Sequence, residues 1–251
     1  MDDATVFELI SGQDICIEGV CNLRPPSLNS IRDLGYARYN SYINILAMDL
    51  EKYLQISNTS EAFDKLDEDT KSRCNVFDFL INSPNTRDIL FECLWFFTVE
   101  KLEFDYLNYG FNVLNDEGKI IGFIDKENYE DIQEWIMRLN YLMNQDIRPK
   151  KFRNSKAKEI FNKIAKGKKK ALKTKNKDDN MSLPNLICAV AAHHSSYNLN
   201  NIWSLTVYQL YDQFFRLNSK IHMDVISSRW AAYGKDDFDF SVWYRDINSN
   251  K

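Results

Sequence analysis

Between Arg148 and Lys177 the chain carries fourteen lysine and arginine residues against a single acid, Glu159. The rest of the 251 residues holds 18 basic and 35 acidic side chains, so a formal charge of −4 conceals one basic stretch set between two acidic ones. Like charges at this density repel and resist burial, which denies the stretch a core of its own. Its first half keeps a helical pattern in Phe152, Ala157, Ile160, Phe161, Ile164 and Ala165; its second half, Lys168, Lys169, Lys170, Lys173, Lys175 and Lys177, runs into Asp178-Asp179-Asn180. The expected organisation is an N-terminal α+β domain over 1–147, a basic helix and flexible linker over 148–181, and a C-terminal helical region over 182–251.

The flanking parts have the means to fold. Hydrophobic residues make up 44% and aromatics 14%, enough for a core, while 8 Gly and 5 Pro exclude collagen-like or low-complexity structure. No apolar run approaches the roughly 18 residues of a membrane span, and no membrane partner is expected. The opening Met1-Asp2-Asp3-Ala4 is acidic where a secretory leader is basic, and five scattered cysteines make no disulfide framework. A reducing cytoplasm is the compartment these features predict.

The pattern predicts mostly helix. Val6–Ile10 and Ile15–Ile17 read as a hairpin about Ser11-Gly12, a second reversal at Glu18-Gly19 leads to Leu23, and Pro25-Pro26 closes the stretch. Ser27 suits a helix N-cap, with Gly35 a weak point. The polar span 57–73 reads as surface helix or loop, and Val76–Ile81 as a short buried element. Asn85 is the expected cap of a helix whose apolar stripe is Ile89, Leu90, Cys93, Leu94, Phe97 and Leu102. Tyr109–Leu114 and Lys119–Ile124 form the clearest hairpin, and Asn128 starts a helix through Met143. Ser182-Leu183-Pro184 opens a helix apolar nearly all round, Ser204 caps a long one, Gly234 stops it, and Phe238–Ile247 is an aromatic tail. The fold class is mainly α, of α+β type: a helical bundle-like body with two small β-hairpins, a lysine-rich linker and a C-terminal helical part.

Little in the chain suggests catalysis. His193 and His194 point about 100° apart on a helix, so helix-end packing is favoured over metal binding. Cys16 and Cys21 fall in a strand pattern, and Cys74, Cys93 and Cys188 among apolar residues; all read as packing. Asp236, Asp237, Asp239 and Asp246 read as surface carboxylates, not a two-metal site. There is no GxxxxGK[ST], GxGxxG or GxSxG, so the expectation is a non-enzyme with no catalytic, metal or cofactor-binding residues. The linker lysines suit contact with nucleic acid or an acidic partner, yet a solvated spacer is favoured, since few aromatics interleave them. Tyr208, Tyr211, Phe214 and Phe215 cover more than one helix face, a surplus that suits an adhesive surface.

The string Asn201-Ile202-Trp203-Ser204-Leu205-Thr206-Val207-Tyr208-Gln209-Leu210-Tyr211-Asp212-Gln213-Phe214-Phe215-Arg216, followed by Arg229-Trp230-Ala231-Ala232-Tyr233-Gly234 and Trp243-Tyr244-Arg245-Asp246-Ile247, resembles the end of tail assembly chaperone-like proteins from long-tailed bacteriophages of Gram-positive hosts. Ser11-Gly12, Ile15-Cys16-Ile17, the stretch Leu28 to Tyr42 and the basic linker are similar too. The resemblance implies a non-enzymatic protein of the host cytoplasm. It would bind the long helical tape-measure protein, keeping it soluble until tube subunits polymerise around it, with the tail tube protein a second partner. The string marks no individual binding residue. The ring surplus puts Trp203, Tyr208, Tyr211 and Phe215 first as partner-binding positions, with Lys168, Lys169, Lys170, Lys173, Lys175 and Lys177 second as contacts to an acidic partner or nucleic acid. Alternatives are a structural virion protein of the tail or connector, and a nucleic-acid-binding protein acting through the linker.

Overall fold

The structure, a computed structural model, describes residues 3–142 and 181–234 together with Asp239 and Ser241. The predicted basic helix, the linker lysines and most of the aromatic tail, with Asp236, Asp237 and Asp246, lie outside the described residues. Among the described residues there are eleven α-helices and two antiparallel sheets, of two and three strands, so the protein is mainly α with a small β component. The chain divides into two compact units. Trp203–Asp212 folds with the N-terminal unit, which otherwise ends at Met143; the second takes in Asn144–Ile202 and Gln213–Lys251. The expected C-terminal region is therefore split between the two.

The first unit opens on helix α1 (Asp3–Ser11), not on the strand expected for Val6–Ile10. Val6 and Ile10 stand four apart as well as alternating, and Leu9 is the one residue of the helix that is sealed. The Gln209 side-chain amide donates to the Ile10 carbonyl at 2.9 Å, satisfying one of the orphan acceptors at the helix end. The hairpin forms one turn later, β1 (Ile15–Ile17) with β2 (Cys21–Leu23) about Glu18-Gly19-Val20. β2 then runs beside the residues around Thr98: Arg24 N–H bonds Phe97 O at 2.6 Å and Val99 N–H bonds Asn22 O at 2.9 Å.

Ser27 accepts from Ser30 N–H at 3.1 Å and caps α2 (Leu28–Leu34) as expected. Gly35, at φ +93°, breaks the helix, and α3 (Tyr36–Leu46) follows. The polar span is helical in short pieces, α4 (Leu50–Ile56), α5 (Ser60–Asp64) and α6 (Glu68–Arg73), with Asp49 and Asp67 capping the first and third. α7 (Val76–Asn82) is the short buried element, capped by Asn75. α8 (Pro84–Phe97) starts one residue before the expected Asn85 cap, because Pro84 fills N1, where its missing N–H costs nothing.

Leu102 does not extend the α8 stripe. It belongs to strand β3 (Lys101–Asp105), where charged and apolar side chains alternate with the period of a sheet. β3 pairs with β4 (Gly110–Leu114) and β4 with β5 (Ile120–Ile124), so the expected hairpin is two-thirds of a three-stranded meander. Asn115 accepts from Glu117 and Lys119 N–H and closes the β4–β5 turn. Asn128 precedes α9 (Tyr129–Leu139), which stops short of Met143. Phe77, Phe97, Phe111, Tyr129, Ile132 and Ile136 are fully buried, and Phe77 meets Tyr129 and Phe111 at 5.0 and 6.2 Å between centroids.

Trp203–Asp212 closes this unit. Leu28 N–H bonds Leu205 O at 2.9 Å and Val207 N–H bonds Pro26 O at 3.0 Å, a short antiparallel bridge. Past the second unit's α10 (Leu183–His193), the long helix α11 (Val207–Tyr233) is capped by Thr206, not Ser204, which ends a 3-10 turn. Thr206 and Gln209 form a reciprocal capping box at 3.2 and 3.0 Å.

In the second unit α10 buries Leu183, Leu186, Ile187 and Val190 but leaves Cys188 and Ala192 exposed, so it is one-sided, not buried all round. His194 ends it and its Nδ1 accepts from Ser196 and Tyr197 N–H at 3.1 and 3.3 Å, a helix-end role, while His193 is exposed. Gly234 N–H bonds Trp230 O at 2.7 Å and stops α11 as expected.

The two sheets meet at Gly122, where a side-chain Cβ would lie 2.0 Å from Val20 O. Gly122→Ala is expected to destabilise the protein by about 1–3 kcal/mol, read as a lowered urea midpoint at unchanged slope.

Candidate partner-binding surface

Helix α8 buries Leu90, Cys93, Leu94 and Phe97, a stripe at helical spacing, and packs against α3 and α7. Phe91 also meets the buried Phe111 at 6.0 Å, and Ile89, expected within the stripe, is exposed. Phe91, Trp95 and Phe96 remain on the flank. Phe91 meets Trp95 edge-on at 5.5 Å, and Phe96 lies 6.0 Å from Tyr42. Trp95 keeps 52% of its surface exposed. With Pro26, Leu34 and Tyr42 these rings line a groove of about 850 Å³ among α2, α3 and α8.

Charges rim the groove. Arg38 pairs with Glu92 at 2.7 Å, and the Tyr42 hydroxyl donates to the same carboxylate at 3.3 Å. Burial and the neighbouring Glu92 charge push the Tyr42 phenol up, while Glu92 holds the Arg38 guanidinium more firmly protonated. Asp33, Asp88 and Arg24 complete the rim. A smaller hollow of about 300 Å³ shares Asp88 and Phe91 with the groove and continues it to Leu102, Glu103, Phe104 and Tyr106. Arg87 lies over the rings of Phe104 and Tyr106 at 4.9 and 5.6 Å. Beyond it the β3–β4 loop is held by Asp105, which accepts from the Asn108 side chain at 2.7 Å and from Leu107 N–H at 2.8 Å. These bonds hold the Asp105 carboxyl below its usual range. The loop so fixed presents Tyr106, Tyr109 and Leu107, the last 90% exposed. Contiguous apolar exposure of this kind marks interaction surfaces.

The ring positions expected on the C-terminal segment are placed differently. Tyr208 is 1% exposed and cannot meet a partner; it is core, tilted against Tyr141 at 5.3 Å. Tyr211 is half-buried, stacked on Tyr141 at 4.9 Å and 3° between planes, and burial raises its phenol. Trp203 is half-buried with the Arg32 guanidinium 5.8 Å over its ring. Phe215, half-buried and edge-on to Phe214 at 5.5 Å, belongs to the second unit. Tyr208 and Tyr211 are thus brought together around Tyr141, whereas Trp203 lies over α2. Their rings are drawn inward because Trp203–Asp212 packs into the first unit, a pairing that helical spacing alone does not reveal. Phe91, Trp95, Phe96 and Phe97 give α8 a surplus of rings like that of Tyr208, Tyr211, Phe214 and Phe215 on α11.

All five cysteines are free, and Cys16, expected to pack, is exposed. In the β1–β2 register Cys21 faces Ile17 and Cys16 faces Asn22, so neighbouring strand positions send the two sulfurs to opposite faces. Burial, reinforced by Glu100 and Cys16, pushes Cys21 up to about 12, and burial raises Cys93 as well. Cys74 is half-buried and Cys188 exposed, so of the three expected in the core only Cys93 is there. Among the described residues no group of three His, Cys, Asp or Glu is placed to hold a metal ion, and no helix is long and apolar enough to cross a membrane.

Residues 173–248 match the family model described as the YomV second domain, a likeness that points to a phage protein. It covers Trp203, Tyr208, Tyr211 and Phe215 and begins within the basic stretch. No curated protein and no solved structure matches the chain.

Two outcomes follow from these placements. Trp95→Ala is expected to change unfolding free energy by no more than about 0.5 kcal/mol, whereas Phe97→Ala costs about 3–5 kcal/mol, both from urea unfolding. Iodoacetamide at pH 8 is expected to label Cys16 and Cys188 in the folded protein, and Cys21 and Cys93 only after denaturation, as read by peptide mass spectrometry.

Proposed function

We propose that this protein is a non-enzymatic tail assembly chaperone, which in the host cytoplasm binds the tape-measure protein and keeps it soluble while tube subunits assemble. The observation that carries the reading is the ring-lined groove along α8, with Trp95 exposed beside Phe91 and Phe96. A long helical protein that has not yet met its tube exposes apolar faces, and a groove lined by rings on a rigid helix accepts such a face. The phage-associated likeness of residues 173–248 supports the setting. Trp203, Tyr211 and Phe215 remain proposed contacts because each keeps part of its surface; Tyr208 does not.

Co-expression with the phage's longest helical tail protein tests this. The expected outcome is a several-fold rise in that protein's soluble fraction, recovery of the two in one complex, and absence of this chain from purified virions. Stoichiometric recovery in virions would instead establish a structural tail or connector subunit.

A further inference from the structure

We propose that Asp88, Phe91, Glu92 and Trp95 form a docking strip for a basic amphipathic helix of the partner. This deepens the chaperone reading and rests on it for the partner's identity, not for the strip's chemistry. The four residues stand at i, i+3, i+4 and i+7 on α8 and so share one face. Two are rings, one of them half exposed, and two are carboxylates. The only cation within ion-pair distance of Asp88 among the described residues is Arg87, at 3.7 Å, too long for a charge-assisted hydrogen bond, and Arg87 is itself laid over Phe104 and Tyr106. Asp88 is therefore left with most of its acceptor capacity toward solvent, directly beside Phe91.

The strip lies on the acidic part of the chain. Residues 3–142 carry 25 Asp and Glu against 12 Lys and Arg, a balance of −13. Arg148–Lys177 adds +13 elsewhere on the chain, so the sign is set at the strip itself, where the solvent-facing carboxylate of Asp88 beside Phe91 draws a cationic flank. A helix with leucine or phenylalanine along one side and lysine or arginine on its flanks meets both demands at once: its apolar side covers Phe91 and Trp95, and its flanking cations reach Asp88 and share Glu92 with Arg38. The strip is continuous at both ends. The groove carries it toward Pro26 and Leu34, and the smaller hollow carries it to Tyr106, giving a helix of several turns a track to lie on.

The test uses the full chain and three synthetic peptides of equal length: one with a leucine/phenylalanine face and lysine flanks, one with glutamate replacing lysine, and one with the lysine peptide's composition scrambled to abolish the face. Titration calorimetry is expected to show the first binding at least about tenfold tighter than either control, a difference that weakens as salt is raised. Trp95→Ala and the double variant Asp88→Asn/Glu92→Gln are each expected to weaken it about fivefold or more at unchanged circular dichroism. Glu61→Gln/Asp64→Asn removes as much charge from α5, outside both hollows, and is expected to leave binding as it was. Equal affinity for the glutamate peptide, equal loss from the α5 variant, no binding at all, or a dimer of this chain that Trp95→Ala dissolves would each overturn the strip. If the strip fails while the long tail protein is still held soluble, the chaperone reading stands without it; if the peptide binds as described and the tail protein does not, the strip stands and the chaperone reading falls.

Discussion

A helix that packs against neighbours on one side has a single stripe to bury, and α8 carries more rings than that stripe holds. Leu90, Cys93, Leu94 and Phe97 seal the inner face completely, with 0% exposure each. Phe91 is partly covered by Phe111 of β4, whereas Trp95 keeps about half of its surface in solvent. The exposed aromatic groove, its carboxylate rim and its continuation to the β3–β4 loop all follow from that mismatch. Leaving rings of this size in water costs roughly 25 cal/mol per Å² of apolar surface, a cost that a partner's apolar face recovers on binding.

What fixes α8 in place is a set of backbone pairings between distant parts of the chain. β2 runs beside the end of α8, with Glu100 accepting from both the backbone and the side chain of Asn22. Pro26–Leu28 in turn pairs with Leu205–Val207, so residues far along the chain complete the N-terminal unit. A groove framed by such long-range bonds is preformed, and little ordering entropy is spent when it is occupied.

The local chemistry was largely legible. Ser27, Gly35, the Asn115–Gly118 turn, Pro184 and Gly234 do what their residue types predict, because caps and turns depend on neighbours within a few positions. Over a few residues helix and strand periods overlap, and over two residues so do candidate caps. Val6–Ile10 satisfied both helix and strand spacing, Leu102 fitted a helical stripe while sitting in the alternating strand Lys101–Asp105, and Ser204 resembled a cap while Thr206 made the capping bonds. The site was the least legible part. Tyr208 looked adhesive by its place on α11, and only its contact with Tyr141 and the fold of Trp203–Asp212 makes it core. α8 carried the informative surplus, hidden behind a stripe that accounted for most of its apolar residues.

The most direct measurement is photocrosslinking in cells that make this chain together with the long tail protein. A benzophenone amino acid replaces Trp95 in one variant and Ile56, 71% exposed on α4, in another. The expected result is a crosslink to the tail protein from position 95 and none from position 56. Crosslinks of equal yield from both positions, or none from position 95 while the tail protein stays soluble, would contradict the claim that the α8 rings are where the partner is held.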